Sequence, residues 1–305
     1  MRYLIDCDPG ADDVMALMIA MKKLDNEIKG IITVSGNVPI AAVTDNACAV
    51  VELAKKDVPV CQGSNTPLIK KPYLAADVHG EGGIGPLKLG SGSRHLVNQN
   101  FVEFYLEKIF ESNEKTTIVA LGPMTNLAIL IKSHPEVIPK IERVVFMGGS
   151  YNDGNVTPYA EFNAFVDPEA YKILFDSDLE LTMVGLDATH MTLLSKEEIW
   201  EKIKGDSEAS FFMKNLLTWY ANNVMEVYGY KGAHMHDPSA IMYILYPEIF
   251  EIFKANLEIS TNDDVTRGKI MINHQNPRKN ITVVSSLDNN LFKKYFFEII
   301  DQYNS

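Results

Sequence analysis

The sequence has few cysteines, a deficit of basic residues and no long apolar run. Its 305 residues include only Cys7, Cys48 and Cys61, and their spacing is not that of a zinc site. Buried free thiols are therefore expected, and a disulfide framework is not. Asp6 interrupts the first apolar run, so a signal peptide is not expected, and no run is long enough to span a bilayer. These features predict a soluble cytoplasmic protein with no membrane partner.

Basic residues are outnumbered, with 28 Lys and Arg against 40 Asp and Glu, so the formal net charge is −12. This charge has the wrong sign for binding a phosphate backbone, and nucleic acid is not expected as a partner. What the chain does contain is 46% hydrophobic residues, enough to bury a large core. We therefore expect one domain that spans residues 1–305.

The order of apolar runs and turns predicts an α/β fold with a mostly parallel central sheet flanked by helices. A β-branched run from Ile28 to Val34 is followed by a helix through about Lys55 and by a short strand, Val58–Val60. Near the end, a strand over Asn280 to Val284 precedes a helix from Phe292 to Tyr303. Alternating strands and helices of this kind are typical of parallel sheets with helical crossovers.

Four aspartates surround the first predicted strand-to-helix turn. An apolar run ends in Asp6 and Asp8, which share a face of the strand because side chains repeat every two residues. Pro9 and Gly10 then turn the chain, and helical periodicity begins so that Asp12 and Asp13 lie in the first turn of a helix. We expect the four carboxylates to converge on one corner.

Such a concentration of acids has two interpretations. Asp12 and Asp13 could merely complement the helix dipole, with Asp6 and Asp8 as surface residues at a strand end. Four like charges at one corner, however, need raised pKa values or a bound cation, and oxygen ligands suit Ca²⁺ or Mg²⁺. A divalent metal site is the interpretation that accounts for all four acids.

Polar residues follow the other predicted strands as well. Asn37 comes after the strand Ile28 to Val34, and a strand over Thr116 to Leu121 leads into the turn Gly122–Asn126. Ligands of parallel sheets bind beyond the carboxyl ends of the strands, which is where Asn37 lies. Because Asn is a common turn residue, a purely local role for Asn37 is the alternative.

A further polar loop follows the buried strand that ends at Met147. It contains Asn155, Glu161 and Asn163, interleaved with aromatic residues such as Phe162. Amide and carboxylate groups at one strand edge supply the donors and acceptors that sugar hydroxyls require. The alternative is a solvated Asn- and Gly-rich loop.

Two histidines lie in segments that local patterns do not resolve. His79 lies within a long Gly- and Pro-rich segment between Gln62 and Asn98, which predicts a functional or mobile loop and leaves a solvent-exposed histidine as the alternative. His236 precedes Asp237 and Pro238, a pattern that is also common at an ordinary helix start.

The acidic segment resembles a known family. The residues Asp6-Cys7-Asp8-Pro9-Gly10-Ala11-Asp12-Asp13 are similar to the DxDPGxDD signature of the nucleoside hydrolases, the inosine-uridine preferring nucleoside N-ribohydrolases. Most members carry Thr at the position of Cys7. Other segments resemble family motifs in the same order: Gly36–Val38, Val78–Gly83, Gly122–Asn126, Met147–Gly149, Gly154–Asn163, Leu186–His190 and His236–Pro238.

The resemblance implies a role for each matching residue. It implies that Ca²⁺ is held by four residues: Asp8, Asp13, Asp237 and, through its carbonyl oxygen, Leu121. Asp8 would also take a proton from the attacking water, and His236 would be the general acid for the leaving base. The substrate site would comprise Asp12, Asn37, His79, Met147, Asn155, Glu161, Phe162 and Asn163.

The function implied is hydrolysis of the N-glycosidic bond of ribonucleosides to ribose and free base, in purine or pyrimidine salvage. His79 and His236 together are more similar to inosine-uridine or pyrimidine preferring members, and a homodimer or homotetramer is expected. Three alternatives remain: an idle nucleoside-binding protein, a hydrolase of modified nucleosides, and a Mg²⁺-dependent phosphoryl-transfer enzyme, although the acidic motifs lack a cationic clamp. The roles of Tyr228, Tyr230 and His234 stay open, and Asp187 and His190 receive no catalytic role.

Overall fold

A mixed sheet of nine strands forms the centre of the protein, as seen in a computed structural model that describes residues 1–274 and 281–304. The strands of this part of the chain, including two further antiparallel pairs, β8–β9 and β11–β12, are as follows. They are β1 Tyr3–Cys7, β2 Ile28–Thr33, β3 Val60–Gln62, β4 Leu96–Val97, β5 Thr116–Ala120, β6 Ile141–Met147, β7 Leu181–Val184, β8 Leu193–Leu194, β9 Ala233–His234, β10 Phe250–Ala255, β11 Leu257–Ile259, β12 Ile270–Ile272 and β13 Ile281–Leu287.

Helices cover both faces of the sheet, with α1, α2 and α10 to α12 on one side and α4, α5 and α7 on the other. Short 3₁₀ turns lie at Asp25–Glu27, Ser93–His95, Pro135–Lys140, Pro247–Ile249 and Gln302–Asn304. The α-helices are α1 Ala11–Lys23, α2 Ile40–Leu53, α3 Ala76–His79, α4 Phe101–Phe110, α5 Thr125–Ser133, α6 Phe162–Val166, α7 Pro168–Phe175, α8 Leu186–Thr189, α9 Lys196–Lys202, α10 Glu208–Tyr228, α11 His236–Leu245 and α12 Asn289–Asp301.

The order of the strands places a crevice at the end of β1. Across the sheet the order is β10, β13, β7, β6, β5, β1, β2, β3 and β4, and every neighbouring pair is parallel except β10 with β13. From β1 the chain winds outward first through β2 to β4 and then, on the other side, through β5 to β7. Ligands bind in open α/β sheets at the point where the winding reverses, beyond the carboxyl ends of the strands. The predicted mostly parallel α/β fold is confirmed.

Burial explains the apolar character of the central elements. Strand β1 is buried along its whole length, because helices pack on both faces of a mainly parallel sheet. Helix α1 is buried from Ala11 to Met21, since it lies beneath α2, α10, α11 and α12. A helix surrounded in this way has no polar stripe in its middle, and its polar residues are confined to the two ends.

Three local predictions differ from the structure in their bounds. The strand predicted at Val58–Val60 is β3, two residues further on, and the loop predicted after it contains α3 and β4. The strand predicted from Asn280 is β13, which begins at Ile281, while Asn280 itself lies outside the described residues. Short elements of this kind carry too few residues for a period to be measured.

No helix in the described part of the chain combines the length and the apolar character needed to cross a membrane.

Candidate active site

The turn between β1 and α1 is held by a carboxylate. The backbone N–H groups of Gly10 and Asp8 donate to the two oxygens of Asp13, at 2.9 and 3.2 Å. A side chain that accepts from the N–H groups at a helix start caps that helix. Asp13 is completely buried, so the sharp turn and the acid that stabilises it form one rigid unit.

Three buried carboxylates meet beside this turn. Oxygens of Asp12, Asp13 and Asp237 lie within 4.8 Å of one another, because α11, which Asp237 opens, packs against α1. Burial, and then the charge of Asp13, raises the pKa of Asp12 to about 8. Burial, and then the charges of Asp12 and Asp13, raises the pKa of Asp237 well above its usual value. Like charges brought this close are relieved by a cation, and the oxygen donors fit a hard divalent ion.

Asp8 lies next to these three carboxylates but is bound by another partner. Its Oδ2 accepts from the backbone N–H of Asn37 at 2.7 Å, while the Asn37 side chain donates to the Asp8 carbonyl and to Asp13 Oδ2, at 3.1 and 3.0 Å. Burial, and then the charge of Asp13, raises the Asp8 pKa. Gly36 and Gly122 leave the space for this carboxylate, since a Cβ on either would lie 2.1 and 2.4 Å from its oxygens.

Asp6 does not join the cluster, which corrects the expectation that all four aspartates converge. Its Oδ2 accepts from the hydroxyl of Tyr105 and from the side chain of Asn126, and its Oδ1 has no partner among the described residues. Burial raises the pKa of Asp6 to about 7. The strand period placed Asp6 and Asp8 together, but packing of α4 and α5 against β1 gives Asp6 partners of its own.

Residues of the loop after β6 form a second wall of the same cavity. Asn163 donates through Nδ2 to the carbonyls of Leu121 and Met147, at 2.8 and 3.2 Å. Glu161 caps α6 by accepting from the backbone of Asn163 and Ala164. Asn155 Oδ1 in turn accepts from the backbone of Phe162 at 2.9 Å. The loop is therefore held by its own polar groups, and the prediction of a freely solvated loop is wrong.

His79 lies at another wall and is buried rather than exposed. Its Nδ1 accepts from the backbone N–H of Ala11 at 3.1 Å, and its ring stacks on Tyr220 with 5.6 Å between centroids. Burial lowers the pKa of His79 to about 4, so the imidazole is neutral near pH 7. The α3 turn and the stacking on α10 decide the position of His79, and the alternative of a solvent-exposed loop histidine is wrong.

His236 belongs to a group of three histidines. Its ring centroid lies 5.5 Å from that of His234 and 5.6 Å from that of His190, and its Nδ1 is 2.7 Å from the hydroxyl oxygen of Thr189. Burial, and then the neighbouring His234, lowers the pKa of His236 well below its usual value. The imidazole is thus a neutral group that can donate through one nitrogen only.

One cavity contains most of the predicted site. Asp8 and Asp13 are the two predicted residues that do not line it; they lie behind Asp12 and Asn37. Residues that the sequence did not assign also line it, among them Tyr220, whose place on a long helix gave no chemical signal. The predicted residues along its wall are Asp12, Asn37, His79, Leu121, Met147, Asn155, Glu161, Phe162, Asn163, His236 and Asp237; the additional ones are Ala75, Val78, Val156, Tyr220, Val224, Tyr228, Tyr230 and His234.

The cavity has two chemically different ends. Acids and amides surround the β1 corner, whereas the far side is formed by aromatic and apolar groups such as Tyr228, Tyr230 and Val224. An arrangement of this kind suits a ligand with a hydroxylated part and a flat, less polar part. The apolar residues were missed because an apolar side chain on a helix is predicted simply as core.

Comparison with known proteins agrees with this geometry. A sequence model described as inosine-uridine preferring nucleoside hydrolase matches residues 3–294. The pyrimidine-specific ribonucleoside hydrolase RihA of Escherichia coli strain SMS-3-5 / SECEC is 35% identical over 290 residues, which cover 93% of each chain.

Solved structures give the same result. The purine-preferring ribonucleoside hydrolase from Gardnerella vaginalis has a TM-score of 0.92 at 28% identity and covers 100% of this chain and 99% of that one. A plant nucleoside hydrolase has a TM-score of 0.90 at 27% identity, covering 98% of both chains. The resemblance seen in the motifs is confirmed, and the chain belongs to the inosine-uridine preferring nucleoside hydrolase family.

Proposed function

We propose that this nucleoside hydrolase cleaves pyrimidine ribonucleosides, uridine in particular, to ribose and free base with a bound Ca²⁺. The observation that carries the proposal is the meeting of Asp12, Asp13 and Asp237 at the base of a cavity whose far side is aromatic. Asp8, Asp13, Asp237 and the carbonyl of Leu121 are the groups that would hold the metal. When bound, Ca²⁺ would position and polarise the attacking water.

The chain's own residues would carry the proton and the sugar. Asp8, fixed by the N–H of Asn37, accepts a proton from the water at a carboxylate oxygen. Asp12, Asn37 and Asn163 are placed to hold the ribose diol, and Asn155 and Glu161 the 5′ side. Hydrogen bonds to these hydroxyls would strengthen as the sugar becomes oxocarbenium-like.

The leaving base would lie between the histidines and the aromatic residues. His236 is our candidate for the donor to the departing base, the general-acid position of the sequence prediction, and it would act from a neutral imidazole. His79, Met147 and Phe162 would contact the base or the sugar edge from the opposite wall. Tyr228 and Tyr230 supply faces on which a flat base can stack.

Base preference is the finer part of the proposal. The name of the relative at 35% identity supports pyrimidines. A purine nucleoside is the second candidate, because the Gardnerella vaginalis enzyme, with nearly the same backbone, is described as purine-preferring.

The location and the assembly are further parts of the proposal. All three cysteines are free and buried, which supports a cytoplasmic location. We also infer that residues 1–305 act as one domain, in a homodimer or homotetramer that light scattering would measure.

Release of ribose and base from a panel of nucleosides tests the function. We expect uridine and cytidine to be hydrolysed fastest, 2′-deoxyuridine to be at least 10²-fold slower because the groups that bind the 2′-hydroxyl lose their partner, and activity to disappear after chelation and return with Ca²⁺. Metal content is measured alongside. Full turnover by metal-free protein would contradict the metal proposal, and fastest release from inosine would replace the pyrimidine assignment by the purine one.

A further inference from the structure

The end of helix α8 is bonded to the segment that begins α11. Thr192 Oγ1 accepts from the backbone N–H of Met235 at 2.9 Å and donates to the carbonyl of Thr189 at 2.7 Å. The short strands β8 and β9 pair Leu193 with His234 in the same place. This part of α8 therefore fixes the backbone immediately before His236.

Thr189 extends this contact to the imidazole itself. Its hydroxyl oxygen lies 2.7 Å from Nδ1 of His236, and the Thr189 side chain is completely buried. Within the described residues, Nδ1 of His236 is the partner that this hydroxyl has. A buried hydroxyl hydrogen needs an acceptor, and a neutral imidazole has one nitrogen that accepts and one that donates. Both requirements are met only if Thr189 donates and Nδ1 accepts.

The direction of this hydrogen bond decides which nitrogen carries the imidazole hydrogen. If Nδ1 accepts from Thr189, the hydrogen of the neutral ring is on Nε2. The ring lines the cavity, while its Nδ1 is occupied by Thr189 on the other side. Nε2 is then the nitrogen left to meet a ligand, and it does so as a donor.

We propose that Thr189 is a positioning residue, which holds His236 in the tautomer with hydrogen on Nε2 so that this N–H donates to the departing base. The inference rests on the proposed function, since it assumes that the base leaves past His236. As the bond from C1′ to the base nitrogen breaks, its electron pair stays on the base, and a hydrogen bond from Nε2 stabilises the developing negative charge. Without the hydroxyl, the ring would populate the other tautomer, whose Nε2 accepts and opposes that charge.

Kinetics with two substrates separate positioning from packing. Thr189→Val keeps the shape and removes the hydroxyl, and Thr189→Ser keeps the hydroxyl. On uridine, we expect Thr189→Val to lower kcat about 10- to 100-fold with KM little changed, as is usual for a group that orients a functional imidazole, and Thr189→Ser to stay within about threefold of wild type. With p-nitrophenyl riboside, whose leaving group departs as a stable anion, Thr189→Val should lose less than about threefold.

The outcomes distinguish this inference from the proposed function. An equal loss on both substrates would mean that Thr189 only packs, and an unchanged rate on uridine would overturn its role. If wild-type protein hydrolyses no ribonucleoside, the proposed function fails, whatever Thr189 does. Thermal unfolding of Thr189→Val shows whether it folds.

A measurement on the wild-type protein tests the tautomer without any activity. In protein labelled with nitrogen-15 histidine, long-range proton–nitrogen spectra report which ring nitrogen carries hydrogen, and His236→Ala identifies the signals. We expect the Nε2–H form in wild type and Thr189→Ser and a mixture in Thr189→Val. Hydrogen on Nδ1 in the wild-type protein would overturn the proposal.

Discussion

Two aspartates on one strand show how closely chemistry depends on the surroundings of a single residue. Asp6 and Asp8 are both buried and two positions apart, yet only Asp8 lies beside the trio of carboxylates. Asp6 accepts from Tyr105 and Asn126 through one oxygen, and its other oxygen has no partner among the described residues. Its pKa of about 7, raised by burial, means that the protonated form is well populated at neutral pH.

The pair offers a matched test of the metal site. In Asp6→Asn the amide oxygen can take the place of the accepting oxygen and the nitrogen that of the oxygen without a partner, so we expect bound metal and turnover within about threefold of wild type. Asp8→Asn should lower turnover by at least about 10²-fold and weaken metal binding, since an amide neither accepts the proton nor carries charge. Metal content and uridine hydrolysis are measured for both. Equal losses would show that Asp6 belongs to the metal site.

At the scale of elements, helix α10 holds the turn that carries His79. Asn223 donates through Nδ2 to the carbonyls of Asp77 and Val78, at 2.8 and 2.7 Å. From the same helix, Tyr220 stacks on His79. The last turn of α3 has unpaired carbonyls that need donors, and α10 supplies them.

Removal of this link should affect binding more than chemistry. We expect Asn223→Ala to raise KM for uridine about 5- to 20-fold and to change kcat less than threefold, because each lost hydrogen bond is worth about 1 kcal/mol and the reacting groups stay in place. Asn222→Ala, at the next position of the helix, is the control and should match wild type. A fall in kcat with unchanged KM would place α10 in the chemical step instead.

Local signals predicted these elements well wherever they were long or carried special turn residues. The β1–α1 unit followed from an apolar run, Pro9 and Gly10, and periodic apolar residues, all within about twenty positions. The short elements α3 and β4 were missed, since three or four residues set no period. His79 could not be placed from the sequence, because its burial depends on Tyr220, far along the chain.

At the scale of the whole molecule, the candidate site exists because of the strand order. Strand β1 lies between β2 and β5, so the segments after all three strands meet at one edge. Alternation of strands and helices predicted a parallel sheet but not this order, nor the antiparallel edge strand β10. The approach of Asp237 to Asp12 and Asp13 is set by α11 packing on α1, and in the sequence only the family resemblance pointed to it.

Burial of titratable groups at this edge also links the stability of the whole fold to pH. The pKa of His79 is about 4 in the folded protein, against about 6.5 in an unfolded chain, because burial disfavours the charged ring. A lowered histidine pKa means that the unfolded chain binds the proton first. The stability due to neutral His79 is therefore complete above pH 6.5 and is lost as the pH falls towards 4, up to about 3 kcal/mol.

His79→Gln isolates this effect, because glutamine can accept from the Ala11 N–H but does not titrate. Between pH 7.5 and pH 5.0, we expect the free energy of unfolding of wild type to fall by about 2 kcal/mol more than that of the variant. The buried aspartates, whose raised pKa values act in the opposite direction, and His234 are common to both proteins and cancel in the difference. Urea unfolding at the two pH values, with the same metal content, measures it. An identical change in both proteins would mean that His79 is protonated as easily in the folded state as in the unfolded chain.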